Sequence, residues 1–296
     1  MSKRLVAGAF MGAVLISGCA QISTQNLSSH IPSKTAAGHI TESLSQQEII
    51  DQIMFESGMD ESIEQIGGMA AMGSKQPPPP MVKIEDYEKF TANIAQVLDP
   101  VAIRKIIVDY LNENYEEKPF SEFLAFLKTP LAQEMTALEL AAQMPEAQQE
   151  MMRTRDTMMR EVSPRRLAVV RQIDDATGAT ETMVDMQMMM GEIVQRNMNK
   201  IMPREHRMPE AQLEQMLEQG RMQSMFPARQ YIEVNMVYAY RSVDDETLND
   251  YLEVYQSEMG QWATKLFKNA WMTVSENIGN DMAELMESTF IETNAG

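Results

Sequence analysis

The chain has 296 residues, a single cysteine, 29 methionines and a formal net charge of −18. That acidity argues against nucleic acid as a partner, because phosphate contacts need Lys and Arg, and against broad adhesion to an anionic membrane without an anchor. With 44% hydrophobic residues, the chain has enough apolar material for a core.

The first element is MSKRLVAGAFMGAVLISGCA. Lys3 and Arg4 precede an uncharged apolar run, Leu5 to Ile16, followed by Ser17, Gly18 and Cys19. The run is shorter than the ~20 apolar residues that span a bilayer and has the layout of a secretory signal peptide, residues 1–18. The basic start, apolar stretch and small-small-Cys ending resemble the lipobox of bacterial lipoproteins. That resemblance implies lipidation of Cys19, and several acyl chains give stable anchoring where one is marginal. With Ala20 rather than Asp after the cysteine, it implies an outer-membrane lipoprotein facing the periplasm. No other cysteine is available for a disulfide.

Residues 19–46 are rich in Ser, Thr and Gln and read as a flexible tether. From there on the pattern is helical. VAIRKIIVDYL (101–111) sets Ile103, Ile106, Ile107, Tyr110 and Leu111 on one stripe. Asp99-Pro100, Thr129-Pro130 and Ser163-Pro164 each supply a capping side chain followed by a proline whose missing N–H costs nothing in a first turn. The Pro run at 77–80 reads as a stiff connector. No run alternates with period 2, and there is no Asn-Gly or Asp-Gly hairpin signal. The fold class expected is all-α, a multi-helix bundle.

Two segments recur. FLAFLKTPLAQEM (123–135) aligns without gaps on YLEVYQSEMGQWA (251–263), pairing Thr129 with Ser257 and Gln133 with Gln261. IIDQIMFESG (49–58) parallels VVRQIDDATG (169–178), pairing Gly58 with Gly178. The order suggests two related helical halves, 47–160 and 164–292. The shared element resembles domain-of-unknown-function family 2059, carried by Phe126, Leu127, Thr129, Pro130 and Ala132 in one copy and Val254, Tyr255, Ser257 and Gly260 in the other. The resemblance implies a helical fold and exported bacterial proteins, and no activity. The small residue at 132 and 260 is expected to allow close helix approach.

Chemistry-bearing motifs are sparse. His30 and His39 lie in the tether and His206 alone in the body, so Ser–His–Asp, Cys–His and zinc sites have little support. No pair of Glu-x-x-His motifs and no Gly-rich phosphate loop occurs. The reading is therefore no enzyme, no catalytic residue and no cofactor, although 43 acidic residues leave a carboxylate-based enzyme as an alternative.

Methionine is concentrated in ETMVDMQMMMGEIVQRNMNKIM (181–202). Met183, Met186 and Met190 share a helical stripe with Ile193, Val194 and Ile201, which reads as core. The same three are the weak metal candidates of the second reading, a periplasmic Cu(I)-binding protein using thioethers. Met188 lies off the stripe, and is expected to be exposed and available to a partner. A basic island comprises Arg153, Arg155, Arg160, Arg165, Arg166 and Arg171, of which Arg165 and Arg166 are the interaction candidates. Trp262 and Trp271, nine residues apart, are expected to point differently, with at least one in the core. The leading reading is an uncharacterised lipid-anchored periplasmic protein, a non-catalytic cell-envelope interaction module with an envelope protein as partner.

Overall fold

A computed structural model describes residues 44–73, 93–94, 96–202 and 204–291. The signal segment, Cys19, most of the tether and the proline connector lie outside the described residues. The described chain is eleven α-helices with one 3-10 turn and no strand, the expected all-α bundle. The helices are α1 (Gln46–Glu56), α2 (Met59–Gly73), α3 (Pro100–Glu113), α4 (Glu117–Leu127), α5 (Pro130–Gln143), α6 (Pro145–Glu161), α7 (Pro164–Thr177), α8 (Ala179–Ile201), α9 (Glu210–Ala239), α10 (Asp245–Gln256) and α11 (Glu258–Ile291). None of the described helices is long and apolar enough to cross a membrane.

The three expected starts are formed as read. Asp99, Thr129 and Ser163 accept from the backbone N–H of Ala102, Ala132 and Arg166. Ser45 and Glu48 add a reciprocal capping box at α1, and Asp244 caps α10 through Thr247 N–H at 2.8 Å. Each cap satisfies a donor that the first helical turn leaves orphaned. Gly58 and Gly178, the matched glycines, are the described residues with positive φ, 70° and 59°. Both close a helix in the left-handed conformation that a Cβ would disfavour.

Two large apolar clusters form the interior. The first joins α1, α2, α3 and α4 to α11, with Ile50, Ile53, Ile107 and Phe120 against Ala263, Ala270 and Val274. The second joins α7, α9 and α10 to α5 and α6, with Val170, Ile173 and Leu248 against Met135 and Met151. The clusters thus cross the expected boundary near 160. The helix after α4 packs in the second cluster, and the helix after α10 packs in the first. Both tryptophans pack against the first cluster, Trp262 edge-on to Phe120 at 5.2 Å between centroids. Their nine-residue separation does not divide them because α11 is held between several helices there.

Gly260 has a more local role than close approach of two distant helices. A Cβ there would overlap the Val254 carbonyl oxygen and lie 2.7 Å from Tyr255 Cα. The first turn of α11 folds directly onto the last turn of α10.

Candidate functional site

Helix α8 explains the methionine density. It is covered by α9 on one side and α11 on the other, and no residue with described burial from Thr182 to Asn197 is exposed. A helix enclosed this way needs apolar filling around much of its circumference, and unbranched thioethers adapt to irregular gaps. Met183, Met186 and Met190 are all partly buried. Val184, at 0% exposure, is more buried than any of them. Met188 is not exposed as expected. Its methyl carbon lies 3.5 Å from where a Cβ on Gly220 would stand, so it packs on α9 and is partly buried.

Three helices are tied by Asp185 on α8, which accepts from Lys268 Nζ of α11 at 2.8 Å and from Arg221 of α9. Burial alone would raise this carboxyl. The bonds from Lys268 and Arg221, and their charges, outweigh it and hold Asp185 below the usual carboxylate range. Among the described residues, no group of three or more His, Cys, Asp or Glu is arranged to hold a metal ion.

The arginine island divides. Arg165 is exposed. Arg166 is not free for a partner: its side chain is 15% exposed and donates to the carbonyls of Tyr240 (2.5 Å) and Val243 (2.7 Å) and to Asp245 (2.6 Å). It closes the α9–α10 turn, adding a second donor to the Tyr240 carbonyl, which already accepts from Val243 N–H, and supplying one to the Val243 carbonyl. Arg171 pairs with Glu233 at 2.7 Å.

A cluster that sequence reading missed surrounds Glu139 of α5. Its Oε1 accepts from Tyr240 at 2.6 Å and Tyr251 at 2.8 Å, and the Tyr251 and Tyr255 hydroxyls lie 3.1 Å apart. Burial raises the Glu139 carboxyl, and the tyrosine hydrogen bonds offset part of that shift. Burial and the charge of Glu139 push the Tyr240 and Tyr251 hydroxyls well up. The carboxyl spends one oxygen on joining α5 to α9 and α10. No local motif signals it, since 112 residues separate Glu139 from Tyr251. A small open pocket of about 230 Å³ lies elsewhere, at the α8–α9 turn, lined by Arg196, Asn199, Lys200, Arg207, Glu210 and Leu213. Arg196 there is already paired with Glu192 and Glu210, and Asn199 bridges both backbone atoms of Met208.

A long exposed face lies on α9. Its inner side packs on α8 through Leu213, 2% exposed, and Gly220. Four of its charges are paired, Glu210 with Arg196, Arg221 with Asp185, Arg229 with Asp175 and Glu233 with Arg171, while Glu214 and Glu218 are exposed along one side of the helix. Between Gln212 and Gln230 the outward face carries five glutamines, Met216, Phe226 and Pro227, with Met222 on its flank. Every one of these is exposed and none is charged. Met216, Met222 and Phe226 are 38%, 62% and 69% exposed. Nineteen helical residues span roughly 27 Å. Helical periodicity over 210–230 would have found this face in the sequence, because the glutamines recur at three- and four-residue spacing.

No family model, curated protein or solved structure matches the chain.

Proposed function

We propose that the protein is a lipid-anchored, periplasm-facing module of the bacterial cell envelope, held at the outer membrane through Cys19, which works by docking a protein partner and not by catalysis. The observation that carries the docking reading is the α9 face: a stretch of roughly 27 Å with three exposed large apolar side chains among uncharged amides, its charged residues, Glu214, Glu218, Arg221 and Arg229, lying to one side, on a chain of net charge −18. Exposed apolar side chains grouped on one face mark interaction surfaces, and methionine suits a surface that adapts to a partner. The anchor reading rests on the basic start, apolar run and small residues before Cys19.

Two related helical halves belong to this proposal. The matched residues make matched contacts: Gly58 and Gly178 share positive φ, and Thr129 and Ser257 each accept from a backbone N–H three residues on. The resemblance to domain-of-unknown-function family 2059 fits that element and adds no activity.

The test is site-specific photo-crosslinking in cells expressing the full chain, with benzoylphenylalanine at Met216, Met222 or Phe226, and at Met188 as the packed control. Discrete intermolecular adducts from the three α9 positions, absent from Met188, are expected. A lack of adducts at all three overturns the docking reading. Cys19→Ser is expected to abolish acyl labelling and move the protein from the membrane fraction to the soluble fraction; unchanged fractionation overturns the anchor.

A further inference from the structure

Three of four residue pairs on the α9 face match in type when its direction is reversed, and the fourth, Gln215 with Pro227, does not. Reversal about Arg221 exchanges Gln212 with Gln230, Gln219 with Gln223, Met216 with Phe226 and Gln215 with Pro227. Symmetric spacing is common to any helix face. Matching of amide to amide and of large apolar to large apolar is a property of these residues. It is the requirement of an isologous interface, in which residue i meets j and j meets i across a two-fold axis.

We propose that this face binds a second copy of the same chain, with the two α9 helices antiparallel and the two-fold axis passing between Gln219 and Gln223. The inference rests on the docking reading of α9 and names its partner. In this register Met216 of each copy packs on Phe226 of the other, twice over. Gln219 of each copy meets Gln223 of the other, and each amide offers both a donor and an acceptor.

Pro227 supplies a reason for that amide contact. It lies inside α9 and has no N–H, so the carbonyl of Gln223, four residues earlier, lacks its helical donor. The opposing Gln219 amide is placed to donate there.

Charge selects the same occupant. With 43 acidic against 25 basic residues, two copies repel over most of their surfaces. Screening confines that repulsion to about 8 Å at physiological ionic strength, so a face of amide and apolar side chains, with the exposed Glu214 and Glu218 set to one side of it, is where two such copies can meet. A contact of about five helical turns from each copy falls at the small end of specific interfaces. Pairing is therefore expected to be weak in dilute solution and to strengthen where both copies share one membrane, which raises their effective concentration.

The experiment uses two full-length copies carrying different tags, coexpressed in cells, with benzoylphenylalanine at Met216 of one copy. The expected product joins the two tags and maps around Phe226 of the second copy. Gln219→Glu with Gln223→Glu sets acid against acid twice across the axis and should lower the yield about tenfold, since opposed like charges are costly at an interface. Gln219→Glu with Gln223→Lys sets acid against base twice and should restore it. The restored variant retains the same glutamate, so it also reports whether the first variant has lost its fold. Adducts from Met216 only to another protein overturn self-pairing and leave the docking reading intact. Equal yields in the two charge variants overturn the antiparallel register. No intermolecular adduct at all overturns both readings.

Discussion

Gln133 and Gln261 make the same two links at two places in the molecule. The Nε2 of Gln133 donates to the Leu127 carbonyl at 2.7 Å and to Glu56 at 2.9 Å. The Nε2 of Gln261 donates to the Tyr255 carbonyl at 2.7 Å and to the Ala176 carbonyl at 2.9 Å. Leu127 and Tyr255 occupy the same place in the two matched segments, and Glu56 and Ala176 sit two residues before the matched glycines. Each glutamine holds the start of one helix to the end of the helix before it and to the end of a third.

Because each amide ties three segments, replacing either should have a similar cost. Gln133→Ala and Gln261→Ala are each expected to destabilise the fold by about 1 kcal/mol, the usual net worth of a hydrogen bond partly shared with solvent. Urea denaturation checks this. A cost above the error at one position and none at the other would show that the two junctions are not energetically alike.

The Glu139 carboxyl gives a pH dependence of definite sign. Its ordinary value is 4.5 and the fold raises it, so the folded state favours the protonated form. Its contribution is fully present below pH 4.5 and is lost as pH rises from there through the raised value. Glu139→Gln removes this loss and keeps an acceptor for Tyr240 and Tyr251. The variant should therefore gain stability relative to wild type as pH rises from 4 to 8. Glu139→Leu leaves both buried hydroxyls without their acceptor and should destabilise by about 1–3 kcal/mol at any pH in that range. Denaturation midpoints at several pH values decide between these outcomes. A wild-type and Glu139→Gln difference that does not vary with pH would refute the shift.

At low pH a second set of groups acts in the opposite sense. Asp51 is partly buried, which alone would raise it. Hydrogen bonds from Arg104 and Gln47, with the Arg104 charge, bring it below its ordinary 3.8. Asp185 is lowered likewise by Lys268 and Arg221. Stability from both is present above pH 3.8 and is lost as pH falls through the lowered values. Asp51→Asn and Asp185→Asn should each flatten acid unfolding below pH 4, and a circular-dichroism acid titration that is unchanged in both variants would count against the assignment.

The helices were legible because their determinants are local. Asp99, Thr129 and Ser163 with their prolines announce starts within two residues, and Gly178 announces a stop. The partners of those helices were not legible. Nothing near residue 130 says that α5 leaves α4 for α9 and α10, because the Glu139–Tyr251 contact that fixes it is made between distant segments. Met188 was misplaced for the same reason: a stripe drawn for a helix covered on one side fails for α8, which is covered on two. Arg166 looked like one more member of a basic face until the α9–α10 turn presented its carbonyls. The α9 face was legible and passed over, since a reading that searches for charge or metal ligands gives no weight to glutamines.

The two neighbouring arginines should separate cleanly. Arg166→Ala removes donors from the Tyr240 and Val243 carbonyls and leaves Asp245 unpaired. A loss of about 2–3 kcal/mol is expected, in the range for charged hydrogen bonds. Arg165→Ala is exposed and should change stability by no more than about 0.5 kcal/mol. Thermal melts of the two variants test this, and equal losses would mean that Arg166 contributes only surface charge.

Two glycines predict opposite signs for one substitution. At Gly260 an added Cβ overlaps the backbone of Val254 and Tyr255, and no side-chain rotation can relieve a clash with main chain. Gly260→Ala must open the α10–α11 junction and should cost about 1–3 kcal/mol, the range for forced overpacking. Gly191 lies in the middle of α8, and an added Cβ there meets nothing within 4 Å. Gly191→Ala removes unfolded-chain entropy at a helical position and should stabilise by about 0.5–1 kcal/mol. Measured side by side by urea denaturation, the pair holds helix propensity constant, since both are Gly→Ala within a helix. A stabilising Gly260→Ala would place the two backbones further apart than the structure has them. A destabilising Gly191→Ala would mean that α8 is packed more tightly at that point.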